Sequence, residues 1–136
     1  MFCTIFYGIL NTKTGDVRYS NGGHNPPYLV RADGSNEQLE GTEGIALGVM
    51  DGMDFGVNTL TLDKGEAIYL YTDGVNEAMD DDGNEYSYER LEEFLKKSKG
   101  QSTTDIVNGS LDDVKGFVKN AEQSDDITVL TVRYNG

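Results

Sequence analysis

Two segments in the second half of the chain each place an aspartate at the end of an apolar, strand-forming run. Residues 69–78 (YLYTDGVNEA) carry Asp73 before a glycine, and residues 124–130 (SDDITVL) carry Asp125 in an Asp-Asp pair. A continuous apolar run predicts a buried strand, and Asp-Gly predicts a turn at its end. Two carboxylates brought together form a hard-oxygen site suited to Mg²⁺ or Mn²⁺. The pattern therefore favours metal-assisted hydrolysis.

Either aspartate taken alone has a simpler interpretation, because Asp-Gly commonly forms an ordinary turn and Asp often precedes a strand. The pair is more informative, since a charge beside a buried strand is costly unless it is compensated, and a shared cation would compensate both. A calcium-binding EF-hand in the acidic residues 80–85 is excluded. Its sixth position is Glu85 rather than glycine, and its twelfth is Leu91 rather than glutamate.

Size and charge restrict the classes of protein to which the chain can belong. Its 136 residues suit one domain or part of a larger one. The net charge of −13 would repel phosphate backbones, so we expect no nucleic-acid partner. No apolar run is long enough to span a membrane, and the N-terminal residues lack the features of a signal peptide. The single cysteine, Cys3, is predicted to be buried in a strand and favours a cytoplasmic location.

The order of predicted elements indicates an α+β fold, in which antiparallel strands form layered sheets flanked by helices. Predicted strands cover residues 2–10, 17–20, 28–30, 38–39, 55–62, 67–72 and 127–132. Ser87 is predicted to cap a helix over residues 88–97. Residues 102–105 (STTD) resemble a capping box that would open a second helix, ending near residue 121.

The only histidine, His24, lies in the loop 21–27 (NGGHNPP), next to Asn25. One interpretation is an acid/base or phosphate-facing histidine. The other is a loop histidine whose ring bonds the backbone and fixes the turn, and the surrounding glycines and prolines favour it.

Five motifs in the same order resemble those of the metal-dependent PPM-type protein serine/threonine phosphatases, and more narrowly the bacterial SpoIIE/RsbU-like branch. They are residues 1–8 (MFCTIFYG), 21–27 (NGGHNPP), 47–49 (LGV), 70–78 (LYTDGVNEA) and 124–128 (SDDIT). The resemblance implies an antiparallel β-sandwich between helix layers (α-β-β-α). It also implies a two-metal Mn²⁺ or Mg²⁺ centre and hydrolysis of phosphoserine or phosphothreonine on a partner protein.

The resemblance also assigns roles to individual residues. Asp73 and Asp125 would be metal ligands, and would act in catalysis through a metal-activated water. Gly74 would let the backbone turn beside the metal, and Asp126 would be structural. His24 and Asn25 match a family signature without an assigned catalytic role.

The chain departs from the family pattern at its start, where the family domain has two further strands and two helices with a metal-bridging Asp-Gly. We therefore expect residues 1–136 to be a single, N-terminally truncated phosphatase domain. Two carboxylates with several waters make a poor magnesium site, so metal binding should be weak or absent and activity low. Exposed apolar surface should favour self-association.

The resemblance suggests a phosphorylated anti-sigma-factor antagonist as the substrate. It also suggests a sensor domain upstream in the longer protein to which this domain would belong, called the parent protein below. An alternative is a non-catalytic protein-interaction module of a signalling protein. A third interpretation is a structural domain that a calcium or magnesium ion stabilises.

Overall fold

A computed structural model describes residues 1–123 and 125–136. Ser124, the first residue of the segment 124–130, therefore lies outside the described residues. The strands and helices are β1 (Ile5–Leu10), β2 (Asp16–Gly22), β3 (Tyr28–Val30), β4 (Asn36–Gln38), β5 (Asn58–Thr61), β6 (Ala67–Tyr71), α1 (Asp73–Asn76), α2 (Ser87–Lys97), α3 (Thr103–Val118) and β7 (Val129–Arg133). The antiparallel α+β architecture predicted from the sequence is present.

The first sheet has the order β1-β2-β5, and all of its pairs are antiparallel. The predicted opening hairpin joins β1 to β2, and the Asn11 N–H donates to the Asp16 carbonyl at 2.8 Å to close its turn. Gly15 takes a φ of +80° in that turn, a backbone conformation that favours glycine. The turn chemistry of this segment therefore sets the register of the hairpin.

The second sheet has the order β4-β3-β6-β7, again with antiparallel neighbours. Tyr71, the last residue of β6, lies opposite Val129, the first residue of β7. Because antiparallel partners run in opposite directions, the residues that follow β6 meet those that precede β7. This register brings Asp73 and the pair Asp125–Asp126 to one edge of the sheet.

Two apolar layers hold the molecule together. The first lies between the sheets and includes Val17, Tyr19, Leu29, Leu39, Leu62 and Ile68. The second lies between the second sheet and the helices and includes Tyr28, Val30, Ala67, Tyr69, Tyr71, Val75, Ala78, Tyr86, Leu91, Leu95, Ile106 and Val114. The described helices therefore cover one face of the second sheet. On the first sheet, Tyr7 and Ile9 of β1 remain exposed.

The helix boundaries confirm one predicted cap and correct another. The Ser102 hydroxyl accepts the Asp105 N–H at 3.1 Å, as the capping box predicts, and α3 follows. The prediction that Ser87 caps α2 is wrong, because the cap position is Tyr86 and Ser87 is the first helical residue, with a φ of +72°. No helix in the described part of the chain is long and apolar enough to cross a membrane.

Two local predictions are wrong for reasons that the packing explains. Cys3 is exposed, because it makes only an isolated bridge to Leu47 ahead of β1 rather than lying inside a sheet. The segment after β6 is not a simple turn. Residues Asp73–Asn76 form the one-turn helix α1, whose Val75 is fully buried against the helix layer.

Candidate functional site

The end of β6 is fastened to the residues before β7 by hydrogen bonds of Thr72. The Thr72 N–H donates to the Thr128 carbonyl at 3.1 Å, which extends the strand pairing by one step. The Thr72 hydroxyl accepts the Thr128 N–H and donates to the Asp126 carbonyl, both at 2.9 Å. One side chain therefore uses both its donor and its acceptor capacity to hold the backbone on either side of Ile127.

Gly74 lies directly against the backbone of the second acidic segment. A Cβ on Gly74 would come within 2.5 Å of the Asp126 carbonyl oxygen and 3.0 Å of the Asp125 carbonyl oxygen. Gly74 lies within the helix α1 and has no positive φ. It does not serve a left-handed turn; its missing side chain lets α1 and residues 125–126 approach each other closely.

The acidic side chains at this edge are exposed, those of Asp73, Asp125 and Asp126 alike. One carboxylate oxygen of Asp125 accepts the Asp126 N–H at 2.7 Å, which orients that side chain. The side-chain amide of Gln123 donates to the Asp125 carbonyl oxygen. The structure thus places the segments of the sequence-predicted site residues together, with their carboxylates facing water.

The donor chemistry of this edge suits a hard divalent cation, but the number of donors is small. Within residues 1–123 and 125–136, no group of three or more histidine, cysteine, aspartate or glutamate side chains is arranged to hold a metal ion. Magnesium commonly keeps several waters and takes one or two protein carboxylates. By donor chemistry alone, the carboxylates of Asp73 and Asp125 suit one open, water-rich Mg²⁺ or Mn²⁺ site, and they are too few for a closed two-metal cage.

The histidine loop is held by Asn21 and contacts α1. The Asn21 side chain accepts the His24 N–H and donates to the His24 carbonyl, both at 2.8 Å. The His24 Nδ1 lies 2.9 Å from the Asn25 carbonyl oxygen, which is the backbone-bonded arrangement that the structural interpretation predicts. The Asn25 side chain donates to the Asn76 Oδ1 at 3.1 Å, so this loop touches the last residue of α1.

A groove of about 150 Å³ lies beside Gly74, between α1 and the end of α3. Its apolar wall includes Val114, Val118 and Ile127, and Lys115 and Lys119 also line it. In the nearby acidic loop, hydrogen bonds from the side chain and the backbone of Asn84 lower the pKa of Asp80, and Lys119 lowers it further. Glu122 lines the groove as well, so it combines apolar contact area with charges of both signs next to the acidic edge.

Sequence reasoning missed three residues that shape this edge, namely Thr72, Thr128 and Asn76. A threonine directly before the strand-end aspartate was an available signal, because threonine hydroxyls often bond neighbouring backbone groups. Nothing in the sequence pairs Asn76 with Asn25, which lies fifty-one residues away in the chain. Asn76 is only 5% exposed, so its role is to hold the histidine loop against α1 through the hydrogen bond from Asn25.

Comparisons with known proteins agree with the motifs. The family profile described as Stage II sporulation protein E (SpoIIE) matches residues 1–135. The chain is 32% identical over 135 residues to Protein IcfG of Synechocystis sp., which covers 99% of this chain and 21% of IcfG. It is 28% identical over 136 residues to Phosphoserine phosphatase RsbU of Bacillus subtilis, covering 98% of this chain and 39% of RsbU. The chain thus spans from about a fifth to two fifths of the length of these relatives.

A solved structure gives the same fold. The phosphatase domain of the cell fate determinant SpoIIE from Bacillus subtilis, presoaked with Mn, superposes with a TM-score of 0.73. The alignment covers 97% of this chain and 56% of that chain, at 18% identity. At this identity the likeness concerns the fold alone, and it confirms the predicted class of antiparallel sheets with helices.

Proposed function

The chain belongs to the SpoIIE family, and from this membership we propose that it contributes one half of a metal-dependent phosphatase site. In this proposal the parent protein hydrolyses phosphoserine or phosphothreonine on a regulatory protein. The observation that carries the proposal is the meeting of α1 with residues 125–126, where a Gly74 Cβ would lie 2.5 Å from the Asp126 carbonyl. That approach puts Asp73 and Asp125 at one exposed edge.

The chemistry proposed for this edge follows from its charges. When bound, Mn²⁺ or Mg²⁺ supplies a Lewis acid that lowers the pKa of a water and neutralises charge on phosphoryl oxygens. Asp73 and Asp125 would hold the ion through their exposed carboxylates. The Asp126 N–H keeps one oxygen of Asp125 oriented, leaving the other free to bind. The remaining positions would be open to water and to a phosphate group.

The name of one relative supports the proposed substrate class of phosphorylated proteins. RsbU, to which the chain is similar over nearly its whole length, is named a phosphoserine phosphatase. We extend this to a phosphorylated anti-sigma-factor antagonist as the partner, with a sensor domain elsewhere in the parent. Lys115 and Lys119, in the groove beside Gly74, would offer cationic contacts to a phosphate group, although Glu122 lines the same groove and the net charge is −13.

The test is Mn²⁺-dependent hydrolysis of p-nitrophenyl phosphate by this chain and by the parent protein extended upstream. We expect low or no turnover by the 136-residue chain, because two carboxylates hold a cation weakly, and robust turnover by the extended protein. Asp73→Asn in the extended protein should abolish turnover. No turnover by either protein would contradict the phosphatase proposal, and robust turnover by the short chain would contradict our account of the metal site.

The alternative is a non-catalytic interaction module, and the exposed apolar surface favours it. An open groove of about 220 Å³ between the sheets is lined by Phe6 and Leu10 from the side of β1 and by Leu130 and Val132 of β7. Asp73→Asn separates the two functions, since a module should keep its partner binding while an enzyme should lose dephosphorylation.

The same surface supports the expected self-association through unpaired strand edges. The net charge of −13 opposes contact between two copies, and salt screens that repulsion. We therefore expect sedimentation to show a dimer that strengthens as salt is raised. A monomer at high protein concentration in both low and high salt would exclude it.

A further inference from the structure

The acidic segments that meet at the candidate site come from distant parts of the chain, and Thr72 joins them. Its hydroxyl accepts the Thr128 N–H and donates to the Asp126 carbonyl, both at 2.9 Å, while its own N–H donates to the Thr128 carbonyl at 3.1 Å. Regular pairing of β6 with β7 ends at Tyr71 and Val129. Beyond that point the hydroxyl continues the connection between the strands.

The position of Thr72 in the chain gives this connection a specific consequence. Thr72 directly precedes Asp73, and the carbonyl that it holds belongs to Asp126, the neighbour of Asp125. The hydroxyl is thus one residue from Asp73, and the carbonyl to which it donates is one residue from Asp125, while Thr128 lies three residues beyond Asp125. Groups that orient metal ligands from outside the coordination sphere typically change metal affinity about 10–100-fold when removed.

We propose that the Thr72 hydroxyl is a positioning group that fixes Asp73 relative to Asp125 and thereby sets the affinity of this edge for a divalent cation. This inference rests on the proposed function, because it concerns the same two carboxylates. Thr72 does not contact the ion; it acts through the backbone of Asp126 and Thr128.

The experiment compares three variants of the 136-residue chain. Thr72→Val removes the hydroxyl but keeps the shape of the side chain, and Thr72→Ser keeps the hydroxyl. Thr61→Val is the matched control, because the Thr61 hydroxyl donates to Asp16 at 2.8 Å in the other sheet. The affinity for Mn²⁺ is measured by paramagnetic broadening of amide signals up to high millimolar Mn²⁺. Hydrogen exchange of the Thr128 amide and thermal melting are measured on the same samples.

We expect Thr72→Val to weaken Mn²⁺ binding about tenfold and to expose the Thr128 amide to exchange, while Thr72→Ser stays close to the wild type. Thr61→Val should lower the melting temperature by no more than about 2 °C, because both partners of its hydrogen bond are exposed, and should leave the Mn²⁺ affinity unchanged. This combination would separate positioning from general stability.

The inference would be overturned if Thr72→Val bound Mn²⁺ like the wild type, if Thr72→Ser weakened binding equally, or if Thr61→Val did so. Rapid exchange of the Thr128 amide in the wild type would overturn it as well. In all of these cases the metal site itself still stands. If the wild-type chain showed no Mn²⁺ effect, the metal site of the proposed function would fail in this chain, and the inference with it.

Discussion

Gly74→Ala tests the central packing feature of the candidate site. The new Cβ would lie 2.5 Å from the Asp126 carbonyl oxygen, 2.9 Å from its carbonyl carbon and 3.0 Å from the Asp125 carbonyl oxygen. All three neighbours are backbone atoms, so no side-chain rotation can relieve the contact. The segment must move by about 0.5 Å or more, and such overpacking typically costs about 1–3 kcal/mol.

The expected loss appears as a lower melting temperature. For 136 residues, the typical unfolding entropy gives about 3.5 °C per kcal/mol, so Gly74→Ala should melt about 3–10 °C below the wild type. The Mn²⁺ affinity should also fall, because the movement separates α1 from Asp125. Both quantities can be measured on the same samples by circular dichroism and by paramagnetic broadening.

Gly116→Ala is the matched control for this experiment. Gly116 also lies in a helix, α3, and a Cβ there would meet no atom within 4 Å. Replacing a helical glycine by alanine without a clash stabilises by about 0.5–1 kcal/mol. Gly116→Ala should therefore melt slightly above the wild type. If Gly74→Ala melted as high as Gly116→Ala, the close approach of α1 and residues 125–126 would be wrong.

Three further predictions follow from contacts around the site and in the core. Asn25→Ala should lower the free energy of unfolding by about 1–3 kcal/mol in urea titration, because it leaves the buried Asn76 Oδ1 without its donor. Asn25→Asp also lacks the amide donor, so it should not restore the lost stability. Burial raises the pKa of Tyr69 from 10.0 to about 12, so the stability that its neutral form contributes is complete below pH 10 and is lost between about pH 10 and pH 12. The urea midpoint should therefore fall over that window, and a constant midpoint would contradict the burial of Tyr69. Asp73→Asn should leave the melting temperature within about 2 °C of the wild type, since exposed substitutions away from packed features usually change stability by less than about 0.5 kcal/mol.

The sequence pattern was sufficient to predict the strands on which the candidate site depends. The apolar runs before Asp73 and after Asp125 predicted β6 and β7, and the capping box at Ser102 predicted the start of α3. These features are local, so they can be recognised in a short window.

The features that could not be predicted from the sequence depend on contacts between residues far apart in the chain. The helical rather than turn conformation of α1 depends on burying Val75 in the helix-side core, and the contact from Asn25 to Asn76 depends on where the histidine loop lies after folding. The register between β6 and β7 likewise fixes which residues meet at the edge, and it pairs segments that are too far apart for a short window of sequence to show it. The roles of Gly74 and Thr72 follow from the register and could be read only from the structure.

Burial within α1 separates what the fold requires from what the chemistry requires. Gly74, Val75 and Asn76 are buried, and each has a packing or hydrogen-bonding reason to be the residue that it is. Asp73 is exposed, and its side chain makes no hydrogen bond within the described residues. A non-catalytic module with this fold would therefore keep Gly74 and its two successors but would have no structural need for Asp73. Asp73 is therefore the residue at which the proposed enzyme and the module differ, and Asp73→Asn is the substitution that decides between them.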